Sequence, residues 1–155
     1  AYQILEELEN PSDLIQLGIR SSGKDKQFWE SKLGIKQYWA QEIKDSGPES
    51  IAKGIKKYLS DKKVDEVYIS FDIDAIDEQY ASATGTPEPE GLSPEVPLII
   101  LSSILDKFKA TGADLVEVAP WIHRSSINAS PSGQDTTLLT SASISNFLIE
   151  RLDSQ

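Results

Sequence analysis

The sequence predicts an α/β fold built on a mostly parallel sheet, and three observations predict it. Apolar runs of strand length alternate along the chain with stretches of helical periodicity. A helix between consecutive strands requires a crossover, hence parallel pairing and a sheet covered on both faces. Polar segments follow the strand-like runs, at the carboxyl ends where open parallel sheets collect ligands.

The elements follow in order. "DLIQLGI" (13–19) reads as a short buried strand, followed by the polar turn "RSSGKDK" and a helical segment near 25–33. "GIKQYWA" (34–40) is a second strand candidate. "GPESIAKGIKKYLSD" (47–61) is a helix opened by Pro48, with Ile51, Ile55, Tyr58 and Leu59 on one face. "DEVYISFDI" (65–73) is the clearest strand. "SPEVPLIILSSILDKFKATG" (93–112) reads as a helix capped by Ser93, with Pro94 at its first helical position and Gly112 just past its end. "ADLVEVAP" (113–120) is a strand stopped by Pro120, and "DTTLLTSASISNFLIERLD" (135–153) closes the chain as a helix. The stretch 124–135 reads as a loop. With no repeat and no linker, residues 1–155 read as belonging to one domain.

Composition removes several function classes. The net charge of −10 argues against nucleic-acid or anionic-membrane partners, which need a basic footprint. The one basic stretch, "KGIKKYLSDKK" (53–63), sets its lysines at helical spacing from Ile55, Tyr58 and Leu59 and reads as a solvated helix face. With no cysteine, disulfides and thiolate metal sites are excluded. The longest apolar run, "VPLIILSSIL" (96–105), is too short to span a bilayer, and a cytoplasmic enzyme is the expectation.

The chemistry concentrates at "SFDIDAID" (70–77), where an apolar strand ends in Asp72, Asp74 and Asp77. Crowded carboxylates repel one another and resist desolvation, so a positive charge is expected among them. If the strand continues, Asp72 and Asp74 lie on one face about 7 Å apart, with Ile73 opposed, close enough to share a hard cation or an ion pair. On the residues alone a metal site and a pairing with Arg20 or a lysine stay open. Asp77 reads as a turn-closing residue. Glu117, between Val116 and Val118, calls for a cationic partner, either a protein arginine or a ligand guanidinium. His123, the single histidine, reads as a surface or supporting residue.

"SFDIDAID", "ATGTPEPEGLSPE" (83–95) and "VEVAP" (116–120) together resemble the ureohydrolase family of arginases and agmatinases, in which S-F-D-x-D-x-x-D precedes T-G-T-P and E-V-x-P. "LGIRS" (17–21) and "LGIKQYW" (33–39) resemble upstream segments of the same family. The resemblance implies a three-layer αβα fold and a binuclear manganese centre that hydrolyses a guanidino compound to urea and an amine. By it, Asp72 and Asp74 are metal ligands, Asp74 is also catalytic, Glu117 binds the substrate guanidinium, and Thr86 lines the substrate end of the cleft. The family's other metal ligands sit in G-G-D-H and D-A-H-x-D segments that do not occur here. The chain also begins at Ala1 and holds no methionine. It is therefore expected to be the C-terminal portion of a ureohydrolase-like domain, a partial domain inactive alone. Its expected partners are the missing N-terminal half and, in a homo-oligomer, further copies.

The loop after "LGIR" carries Gly23 and Lys26 where arginases place acidic groups for the substrate amine. Lys24 and Lys26 would suit a guanidino acid, whereas solvent exposure is their plain reading. Two rivals are a haloacid-dehalogenase-like phosphotransferase, disfavoured because Ile76 stands two residues after Asp74 where that motif needs Thr or Val, and a catalytically inactive scaffold or regulatory subunit of the same fold.

Overall fold

The computed structural model describes residues 6–121 and 136–154. After a 3₁₀ turn at Pro11–Asp13, the chain forms β1 (Ile15–Ile19), α1 (Lys26–Leu33) and β2 (Lys36–Trp39). These are followed by α2 (Ala40–Ser46), α3 (Pro48–Asp61), β3 (Glu66–Asp72) and a second 3₁₀ turn at Ile73–Ala75. The remaining elements are α4 (Glu95–Leu105), β4 (Lys109–Val116) and α5 (Thr136–Asp153). Among the described residues β1 pairs with β2 and β3 with β4, both in parallel, as the alternation of strand and helix requires.

Local chemistry explains the boundaries. The Asp25 side chain accepts the Phe28 N–H at 2.8 Å, capping α1, and Gly34 ends it in the left-handed conformation (φ 71°). Pro48 opens α3, whose Ile51, Ala52, Ile55 and Leu59 are buried, as the helical spacing predicts. Burying each of the three larger side chains stabilises the fold by about 1.5–3 kcal/mol before ordering costs are counted. They join Ile100, Ile104 and Phe108 in one core cluster; a second unites Phe71, Ile73 and Ile76 with Leu101 of α4 and Ile144 and Leu148 of α5.

Four expectations are corrected. Ala40–Ser46 forms α2, which the sequence does not announce; it springs directly from β2 with no side-chain cap, and it buries Ile43 completely. Next, α4 stops at Leu105 and β4 begins at Lys109, so Gly112 lies inside a strand, not past a helix. Phe108 turns inward and is buried at that junction. Gly112 faces Tyr68 across the pair, where a Cβ would stand 3.0 Å from the ring, so a bare backbone suits the site. Third, Ser93 contributes to the start of α4 through its carbonyl, accepting the Val96 N–H at 3.1 Å, with no side-chain cap.

Last, the helices cover only one face of β3–β4 among the described residues. Its other face carries exposed Glu66, Tyr68 and Ser70, with Tyr68 61% exposed. There the Tyr68 and Ser70 hydroxyls donate to the two carboxylate oxygens of Asp114 at 2.9 and 2.8 Å. No described helix is long and apolar enough to cross a membrane.

Candidate active site

Strand β3 delivers the first carboxylate. Asp72 is its last residue, and the chain then tightens into the 3₁₀ turn Ile73–Ala75 because Ile73 and Ile76 are drawn into the core. Asp72 caps that turn, its Oδ1 accepting the Asp74 N–H at 3.1 Å. The two carboxylates are therefore neighbours through a side-chain turn, not through strand alternation as the sequence suggests. Burial pushes the Asp72 carboxyl up to about 6, and the negative charges of Asp74 and Glu117 add to it, against the opposing effect of the Asp74 N–H.

The segment that follows is clipped back onto this turn. Leu92 N–H donates to the Ala75 carbonyl at 3.0 Å and Asp77 N–H to the Leu92 carbonyl at 2.9 Å. Gly91 is required for that approach, since a Cβ there would stand 2.4 Å from the Asp77 nitrogen. Asp77 serves as the predicted turn residue, its carboxylate accepting the Gln79 N–H at 3.0 Å. The clipped loop brings Thr86 to the site, where its hydroxyl donates to Asp74 Oδ2 at 3.0 Å.

Glu117 arrives from the other strand. The sequence places it inside an apolar strand, but β4 ends at Val116 and Glu117 adopts φ 63°, a left-handed backbone that turns it out of the sheet. It is exposed, so the desolvation argument for a buried partner falls away. A non-glycine residue in that conformation costs about 1 kcal/mol, which the surrounding structure must hold in place. One such hold is the Ala119 N–H, bonded to the Ala83 carbonyl at 2.9 Å. The Glu117 carboxylate lies against the T-G-T-P loop, with Oε2 3.3 Å from where a Cβ on Gly85 would be. Gly85 is the contributor that sequence reasoning missed; the motif pointed to its loop without showing which carboxylate it admits.

No ion pair among the described residues engages Asp72, Asp74 or Glu117. The pairing with Arg20 is not formed; the buried Arg20 Nε has no hydrogen-bond partner. Lys26 pairs with Glu42 at 2.6 Å and sits over the Tyr38 ring, so its charge is already matched. Lys24 lies over the Phe28 ring. His123 falls outside the described residues.

The donor set suits a hard divalent cation: two adjoining carboxylates, partly desolvated, with no matching protein cation among the described residues. It is also incomplete. Among the described residues no group of three or more His, Cys, Asp or Glu side chains could hold a metal by itself. The pair can therefore supply only part of a coordination sphere.

The sequence model of the arginase family matches residues 1–148. The chain is 35% identical to an arginase of Entamoeba histolytica over 112 residues, covering 72% of this chain and 37% of that protein. It is likewise 35% identical to an agmatinase of Chromobacterium violaceum over 126 residues, covering 81% of this chain and 36% of that one. Among solved structures, proclavaminate amidino hydrolase from Streptomyces clavuligerus superposes with a TM-score of 0.74 at 29% identity, over 97% of this chain and 46% of that chain. The chain thus spans a little over a third of the length of these curated relatives.

Proposed function

Because the chain belongs to the arginase family, we propose that it is the C-terminal portion of a longer or two-piece ureohydrolase that hydrolyses a guanidino compound to urea and an amine, using manganese. The observation that carries this reading is the half-buried Asp72–Asp74 pair, free of protein cations among the described residues and within electrostatic reach of Glu117.

In this reading Asp72 and Asp74 hold the manganese ions together with donors from the rest of the family fold. Manganese bound there would acidify a water for attack on the guanidinium carbon. Exposed Glu117 receives the planar guanidinium through two parallel hydrogen bonds, a geometry that carboxylates and guanidinium groups share. That contact fixes the direction from which the carbon is presented to the Asp72–Asp74 pair. Thr86, hydrogen-bonded to Asp74 Oδ2, lines the substrate end of the cleft in this reading. The open Tyr68 face of β3–β4 is where the remainder of the fold would pack, since a half-covered sheet leaves aromatic surface in water. The substrate class is arginine, agmatine or a guanidino acid. Lys26 gives the acid no special support, because Glu42 already occupies it.

The test is urea release by the complete protein from a panel of these compounds, after chelation and after manganese is restored. The expected result is urea from at least one compound, lost on chelation and recovered with manganese. No urea from any member would favour the inactive scaffold instead.

A further inference from the structure

We propose that Thr86 is a positioning residue for the metal centre, its hydroxyl holding Asp74 Oδ2 so that the other Asp74 oxygen is presented to a divalent cation. The inference rests on the manganese reading above and refines it, because the family resemblance places Thr86 only at the substrate end of the cleft.

The geometry runs through three residues. Asp72 is fixed by the Asp74 backbone, whose N–H donates to Asp72 Oδ1 at 3.1 Å. Asp74 has no comparable backbone donor on its own carboxylate. Its terminal torsion is intrinsically soft, because a carboxylate on an sp³ carbon has broad rotational wells. Besides its contact with the Asp72 carboxyl, Asp74 is held by Thr86, whose Oγ1 lies 3.0 Å from Asp74 Oδ2. Thr86 is exposed, so water could satisfy its hydroxyl equally well; burial does not force this bond.

The anchor of that hydroxyl is also stiff. Pro87 follows Thr86 and confines it to extended backbone. The loop is clipped to the Asp74 turn by the Leu92–Ala75 hydrogen bond and internally by the Glu78 N–H to the Glu88 carbonyl at 3.3 Å. Thr86 therefore approaches Asp74 from a fixed direction. A hydrogen bond to a ligating carboxylate typically governs metal affinity by about 10–100-fold.

The experiment is calorimetric titration of the metal-free complete protein with manganese alone, comparing wild type, Thr86→Val, Thr86→Ser, Asp74→Ala and the Thr86→Val/Asp74→Ala double variant. Valine keeps the branched shape and removes the hydroxyl, and Thr86→Ala replaces it if valine disturbs the turn. Expected is a loss of about 10-fold or more in affinity for one manganese in Thr86→Val, with Thr86→Ser within about threefold of wild type. The double variant should bind as Asp74→Ala alone, since the two changes remove one interaction. Thr86→Val binding manganese like wild type, or Thr86→Ser weakening it as much as valine does, overturns the inference. In either case two manganese ions bound by wild type would leave the proposed function standing. A wild-type protein that takes up no manganese overturns both.

Discussion

Acidic side chains on this chain fall into two groups that fare differently. Across the helical flank they meet cations: Glu42 pairs with Lys26 at 2.6 Å, Asp13 with Lys62 at 2.6 Å and Asp106 with Arg151 at 2.8 Å. At the carboxyl ends of β3 and β4, Asp72, Asp74 and Glu117 meet one another and no cation among the described residues. With 25 acids against 15 lysines and arginines, some carboxylates must go unpaired, but unpaired ones ordinarily stay in water. Asp72 is instead partly buried with a raised carboxyl, an arrangement that costs stability unless a positive ligand completes it. The flank uses charge for solubility and modest stability; the strand ends hold it against their own stability, as a binding site does.

The comparison can be broken at several points. The largest effect is expected from the 155-residue chain by itself, which should release no urea with manganese added, because two carboxylates cannot complete a binuclear site; measurable turnover would contradict this. In the complete protein, Asp74→Ala should remove one manganese and lower kcat about a thousandfold, whereas Lys57→Ala, which breaks the exposed pair with Asp61, should leave kcat unchanged within about twofold. Metal analysis and steady-state urea release check both. Glu117→Gln removes the charge proposed to receive the guanidinium and should cost about a hundredfold in kcat/KM with manganese content intact. Gly85→Ala adds a methyl 3.3 Å from Glu117 Oε2 and should raise KM by about three- to tenfold with less change in kcat. The smallest change carries the most telling sign. Asp72→Asn keeps an oxygen for the Asp74 N–H while removing one of the crowded charges, so the metal-free protein should gain about 1 kcal/mol in denaturant unfolding, after discounting for solvent screening. Lys57→Ala should shift it by less than about 0.5 kcal/mol.

How much of this was legible depended on whether the cause was local. Pro48 and the apolar spacing of α3 act within a few residues, and each appears where the sequence puts it. The strand read at 65–73 was legible for the same reason, forming as Glu66–Asp72, and so was the turn role of Asp77. Helix α2 was not, since seven residues starting straight from a strand show too little periodicity to declare themselves. The end of α4 was missed because "DKFKA" suits a helix, and only Phe108 packing inward decides for a turn and a strand. At the site, the residue types were readable and their geometry was not. That Asp74 reaches Asp72 through a 3₁₀ turn depends on Ile73 and Ile76 entering the core, and that Glu117 swings out depends on a left-handed backbone no residue type signals.

The central claim is that the acids at the strand ends await divalent cations completed by donors elsewhere in the protein. Anomalous diffraction at the manganese edge, from crystals of the complete protein grown with manganese, tests it most directly. The account predicts two metal peaks flanked by the carboxylates of Asp72 and Asp74. Those carboxylates bound to lysine or arginine side chains, with no manganese peak beside them, would contradict it.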